Sequence, residues 1–122
     1  MIEVWKDIEG FDGKYQISSW GRVRSARGTL KTYENKKGYL KIGLYKNGKY
    51  HKRRINRLVA QAFIPNPYDL PQVNHIDGNK KNNSVTNLEW VTDSANKKHD
   101  KHFRITLEIG TASIKRYPQE ED

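Results

Sequence analysis

One histidine, a set of asparagines and a polar helical stretch stand at intervals that could serve a single phosphate. His75 follows Asn74 at the end of a short apolar lead-in that begins at Val73. Asn87 comes twelve residues later and opens a second short run, Leu88-Glu89-Trp90-Val91. Thr92 and Asp93 carry short oxygen-bearing side chains of the kind that accept bonds from free N–H groups in a helix's first turn. On that predicted helix Asn96 stands nine residues beyond Asn87, with His99 and Asp100 after it at i+3 and i+4. Residues so spaced share one helical face, which can point back at His75. Cleaving a phosphodiester needs a base to activate water, a metal to neutralise developing charge, and something to fix the base. A neutral imidazole serves as that base near physiological pH. Oxygen ligands such as Asn and Asp suit Mg²⁺, which keeps several waters and takes further oxygens from phosphate. Taken singly, each residue also reads blandly: Asn82, Asn83 and Asn87 as turn formers, Trp90 and Val91 as core. The joint spacing carries the case.

Composition bounds what such a site would act on. The chain has 122 residues, enough for one small domain or two very small modules sharing a core. Hydrophobic content is 34%, and no apolar run approaches the roughly 18–20 residues of a membrane span. No basic-then-apolar leader opens the sequence, so a cytoplasmic location and no membrane partner are expected. The absence of cysteine excludes a disulfide scaffold and any thiolate zinc site. The net charge is +9. Between Arg22 and Arg57 the only acid is Glu34, among Arg22, Arg24, Arg27, Lys31, Lys36, Lys37, Lys41, Lys46, Lys49, Lys52, Arg53, Arg54 and Arg57. So one-sided a block is an electrostatic footprint for a polyanion, most often nucleic acid.

The elements that must hold these residues are legible in outline. Tyr15–Ser18 and Arg22–Ser25 alternate with period two, after an Asp12-Gly13 turn signal. Arg22 and Arg24 then share a face, which suits phosphate or a guanine edge and equally describes two ordinary exposed arginines. Three more strands are predicted at Thr29–Tyr33, Tyr39–Tyr45 and Lys49–Arg54, the last two joined by Asn47-Gly48, a strong hairpin signal. Leu40, Ile42 and Leu44 give one apolar face, and Tyr39, Lys41, Gly43 and Tyr45 a basic-aromatic face that could lie against a groove. Ile55, Leu58, Val59, Ala62 and Phe63 recur at helical spacing until Pro65 stops the segment. Residues 103–117 alternate around Gly110, as a terminal hairpin would.

Asn74-His75-Ile76-Asp77-Gly78-Asn79, Asn82-Asn83 and Asn87-Leu88-Glu89-Trp90-Val91-Thr92 together resemble the motif of HNH nucleases, in the branch of phage and intron homing endonucleases. Trp5, Ile8, Gly10, Tyr15, Ser18, Gly21-Arg22-Val23 and Ser25 are similar to the NUMOD4-like module that often precedes it, and Arg57-Leu58-Val59-Ala60 with Phe63 to the helix between the two. The resemblance covers roughly residues 3–100. It implies an α+β fold, a small antiparallel sheet module followed by a helix and a ββα-metal motif. The expected divisions are a basic DNA-binding module at 1–54, the helix and nuclease motif at 55–102, and an extension of unassigned role at 103–122. It implies His75 as the general base, Asn87 pinning the loop and the orientation of His75, and Asn74 with Asn96 binding one divalent ion and the scissile phosphate. Mg²⁺ is the expected ion, with Mn²⁺ compatible. The partner is double-stranded DNA, held by Arg22, Arg24, Lys31, Lys41, Lys52, Arg53, Arg54 and Arg57, and a monomer nicking one strand is the simplest form. Relatives can carry Asp at the position of Asn74 and often have His at that of Asn96, so here neither main ligand brings a charge, unless Asp77 or Asp100 contributes. A DNA-binding protein without catalysis, and a structural component whose basic face meets another protein, are the competing readings.

Overall fold

A computed structural model of the chain describes residues 2–93, 103–108 and 111–116. Among these residues, three small antiparallel sheets surround one α-helix. The first contains Trp5–Asp7 (β1), Tyr15–Ser18 (β2), Val23–Ser25 (β3) and Gly28–Thr29 (β4), in that order. The second is a ribbon of Tyr33–Glu34 (β5), Leu40–Lys46 (β6) and Lys49–Arg54 (β7). The helix Ile55–Phe63 (α1) follows β7 directly. Gln72–His75 (β8) and Leu88–Val91 (β9) then pair, with a 3₁₀ turn at Val85–Asn87 between them. Phe103–Glu108 (β10) adds to the free edge of β9 and Thr111–Arg116 (β11) to β10. The terminal hairpin thus extends the β8–β9 sheet. The helix predicted from Thr92, with Asn96, His99 and Asp100, lies outside the described residues beyond Asp93, as does Gly110.

Turn chemistry sets the ribbon register. Asn47 and Gly48 take φ of 52° and 75°, the paired positive angles of a two-residue hairpin whose twist matches its strands. Tyr45 then opposes Tyr50 and Lys41 opposes Arg54. Residues opposed across an antiparallel pair point to the same side, so Lys41, Tyr45, Tyr50, Lys52 and Arg54 share the outer face. Ile42 and Leu44 turn into the core on the opposite face, which also carries the half-buried His51 and the exposed Arg53. A Cβ on Gly43 would meet the Tyr50 ring at 1.9 Å, because that ring lies across the glycine. Tyr45 meets the same ring edge-on, at 5.1 Å between centroids.

The single predicted strand Thr29–Tyr33 is two short ones. Leu30 donates its N–H to Val23 O at 2.8 Å and tucks against the core. The chain there leaves the first sheet and joins the second, so the alternation ran through a crossover.

One core serves all three sheets. Ile17 and Val23 from the first, Ile42 and Leu44 from the ribbon, and Val73, Leu88 and Trp90 from the third pack on Ile55, Leu58 and Val59 of α1. With sheets on several sides, α1 buries Asn56 and Ala60 along with Ile55, Leu58 and Val59, while Ala62 and Phe63 of the predicted stripe are only partly buried against the core. Trp90 donates its indole N–H to Ile64 O at 3.0 Å, which ties the helix end to β9. Among the described residues no helix is long and apolar enough to cross a membrane.

Candidate active site

The segment between β8 and β9 is a loop in which neutral amides replace regular backbone pairing. Asn87, buried at its base, donates Nδ2–H to Asp77 Oδ1 at 2.9 Å and to Asn82 O at 2.8 Å. Its Oδ1 accepts from Asp77 N at 3.0 Å, and its backbone O accepts from Ile76 N at 2.8 Å. The Asp77 carboxylate in turn accepts from Asn79 N and from Asn82 Nδ2. The Asn82 bond first, then the Asn79 and Asn87 donors, hold Asp77 below the usual carboxylate range against a small opposing effect of desolvation. The loop is therefore closed by its own side chains.

His75, 6% exposed, stands at the mouth of this loop. Its Nε2 lies 2.7 Å from Asn83 Oδ1. Asn83 directs its Nδ2 to Lys80 O, which leaves the amide oxygen facing the ring. In the neutral imidazole, an acceptor there keeps the proton on Nε2 and leaves the lone pair on Nδ1. Among the described residues Nδ1 makes no hydrogen bond. Asn87 was expected to pin both the loop and His75; it pins the loop, and Asn83 holds the imidazole. Asn83 is itself wedged by the first sheet. A Cβ on Gly21 would come 2.9 Å from Asn83 Cβ, and Gly21 has φ of 88°, so glycine alone allows this approach. Beside it Val85 N donates to Ser19 O at 2.8 Å.

Asn74 points to the other face of β8, opposite Glu89 of β9. Its Nδ2 donates to Glu89 Oε1 at 3.0 Å, and among the described residues its Oδ1 accepts no hydrogen bond. A hard amide oxygen without a donor beside it fits Mg²⁺ or Mn²⁺. Among the described residues no three His, Cys, Asp or Glu side chains converge on one point. The other expected ligand, Asn96, lies outside those residues.

Basic and aromatic groups lead from the ribbon to His75. Arg54 lies 4.2 Å from the Tyr39 ring centroid and Lys80 Nζ lies 4.7 Å from it. The Tyr39 and His75 rings are 6.1 Å apart. Lys80 also donates to Lys37 O at 2.7 Å, so the ribbon turn and the loop are tied together. Lys41, Lys52 and Arg54 share the outward face, and Lys31 is exposed on the crossover. The other expected DNA contacts sit differently. Arg53 lies on the opposite face of the ribbon, still exposed, with its guanidinium 5.7 Å from the Phe11 ring. Arg22 is bound to both oxygens of Glu3, which hold it above its usual pKa while it holds Glu3 below the usual range. Arg24 stacks on Trp5 at 4.0 Å and bonds Gln16 Oε1. Arg57 donates to Pro71 O and faces Trp90. Tyr39 was expected on the basic-aromatic face and the paired asparagines at 82–83 carried a signal, but the roles of Lys80 and Glu89 were not singled out by sequence.

Residues 3–56 match the NUMOD4 motif, and residues 53–98 match the HNH endonuclease family. The DNA endonuclease I-HmuI of Bacillus phage SP01 is 44% identical over 110 residues, 88% of this chain and 63% of that protein. A putative HNH homing endonuclease of the SPbeta prophage in Bacillus subtilis is 47% identical over 103 residues, 79% of this chain and 56% of its own length. The chain thus spans less than two thirds of these curated relatives. A solved structure described as DNA binding and cleavage by the HNH homing endonuclease I-HmuI superposes with a TM-score of 0.73 at 36% identity, covering 95% of this chain and 78% of that one. By sequence and by fold, the chain belongs to the HNH endonuclease family, in the branch that carries a NUMOD4 motif ahead of the nuclease fold.

Proposed function

We propose that the chain is a divalent-metal-dependent DNA endonuclease that nicks one strand of a duplex. The observation that carries this reading is the His75–Asn83 bond, which fixes the ring so that the neutral imidazole offers its Nδ1 lone pair as the base beside a basic path. The ribbon face of Lys41, Lys52 and Arg54 binds backbone phosphates, which gives affinity without sequence. Arg54, Tyr39 and Lys80 continue that path to His75. There Nδ1 accepts a proton from water as the water attacks phosphorus, and Asn83 keeps the ring aimed throughout. Asn74, with Asn96 from the predicted helix, would hold the ion, which when bound neutralises charge on the phosphate and the leaving oxygen. One site faces one phosphate, so a monomer produces a nick.

The neutral Asn74 favours one competing reading, a DNA-binding protein that does not cut. Supercoiled plasmid with Mg²⁺ or Mn²⁺, an EDTA control and a His75→Ala protein separates the two. Open circles that require both metal and His75 are the expected product. Plasmid that is bound yet intact in every ion sinks the catalytic reading, and linear product replaces the monomer with a dimer.

A further inference from the structure

Arg54 is kept differently from the arginines around it. Arg22 donates to Glu3, Arg24 to Gln16 Oε1, Arg53 to Lys52 O and Arg57 to Pro71 O. Arg54 is half-buried, yet among the described residues its guanidinium makes no hydrogen bond or ion pair. A guanidinium carries five N–H donors and is always charged. What holds this one is a ring: its Cζ lies 4.2 Å from the Tyr39 centroid. That attraction works through the ring quadrupole and consumes none of the donors. Lys80 Nζ lies 4.7 Å from the same ring and gives one of its three N–H groups to Lys37 O, which leaves two. Lys41 stands directly across the strand pair from Arg54, and among the described residues no acid pairs with either. Like charges so opposed are destabilising, and an anion brought between them removes the cost. Tyr39 itself is fixed by Asn35, which accepts from Tyr39 N and donates to Tyr39 O, both at 2.9 Å. Its ring is 6.1 Å from that of His75.

We propose that Arg54 and Lys80 form a two-cation clamp on the scissile phosphate, and that Tyr39 is the positioning residue that holds both beside His75. The inference rests on the reading of His75 as the base of a nuclease. The water oxygen bonds phosphorus as its proton passes to His75 Nδ1. The bond to the leaving sugar oxygen breaks, and that oxygen recovers a proton from solvent. Negative charge grows on the non-bridging oxygens meanwhile, and fixed donors facing them stabilise that state more than the bound ground state. Lys41 and Lys52 attract the duplex at every stage alike. The clamp acts on the rate.

The test is single-turnover nicking of supercoiled plasmid by saturating full chain with Mg²⁺ or Mn²⁺, beside duplex affinity by fluorescence anisotropy. R54A, folded by circular dichroism, is expected to slow the nick by about 10²–10³ and to weaken binding by less than about tenfold. Y39L loses the ring and is expected to cut about tenfold more slowly, while Y39F stays within about threefold of the parent. If R54A cuts as fast as the parent and only binds more weakly, Arg54 serves attraction alone and the proposal fails. It fails equally if Y39L keeps the parental rate, or if Y39F is as slow as Y39L. Should R54A not fold, R54K decides: it keeps the charge and loses the planar fork, and a parental rate overturns the clamp. Plasmid left intact by the parent in both ions overturns the nuclease reading itself, and the clamp with it.

Discussion

The β8–β9 loop and the β6–β7 ribbon are both polar, and they are built on opposite terms. In the loop, Asn82, Asn87 and Asp77 satisfy one another, Asn83 bonds His75, and the carbonyls at 80 and 82 also have partners. In the ribbon, the Lys41 and Lys52 ammonium groups make no hydrogen bond or ion pair among the described residues, and Tyr45 and Tyr50 stand about half exposed. Neutral amides act over hydrogen-bond distances and lose their effect when displaced by an ångström. Ammonium groups act over a Debye length, and their exact positions matter little. Geometry belongs to the loop, attraction to the ribbon.

The largest effect that comparison forecasts is loss of the base. His75→Ala should slow nicking by about 10²–10⁴ and leave duplex affinity as it was, since the ribbon is untouched. Fluorescence anisotropy beside the plasmid assay checks both halves; a parallel loss of binding would break the division. Asn83→Ala comes next. It frees the imidazole without removing it, and a misplaced base costs up to about 10² in rate. Single-turnover rates at saturating DNA measure this, and an unchanged rate would move the orienting role elsewhere. Asn87→Ala should act through stability instead. It strands the Asn82 carbonyl and Asp77 N–H it now satisfies, at a cost of about 1–3 kcal/mol in urea denaturation. The ribbon should answer in another currency. Lys41→Ala with Lys52→Ala should reduce the slope of log affinity against log salt by about 2 and leave the single-turnover rate alone.

The same contrast explains what sequence could show. Ribbon strands, their turn and α1 were legible because alternation, Asn47-Gly48 and helical spacing are local signals. The motif positions Asn74, His75 and Asn87 fell where expected on β8 and at the head of β9. Period two also bears on Lys52, Arg53 and Arg54, which cannot all face one groove from one strand; Arg53 lies on the opposite face beside Phe11. Partners distant in sequence were not legible. Nothing local says that Glu3 takes Arg22, that the Gly21 turn wedges Asn83, or that Glu89 lies across from Asn74. Nor does alternation mark Leu30, where the chain changes sheets.

Two carboxylates give the finest test of charge against geometry. Glu3 and Asp77 both sit below the usual carboxylate range, chiefly through the Arg22 guanidinium for Glu3 and through the Asn82 amide for Asp77. A folded pKa below the unfolded one contributes stability above the unfolded value, near 4 for such groups, and that stability is lost as pH falls through the lowered folded value. Both contributions should therefore be present at neutral pH and vanish in acid. Salt should separate them. Raising ionic strength from about 0.05 to 1 M shortens the Debye length from about 14 to 3 Å and screens the exposed Arg22–Glu3 pair. Carboxyl ¹³C titrations should then show Glu3 moving up toward its ordinary value while Asp77, held mainly by neutral donors, stays low. Equal movement of the two would mean that the basic surface, and not the loop's amides, sets the state of Asp77.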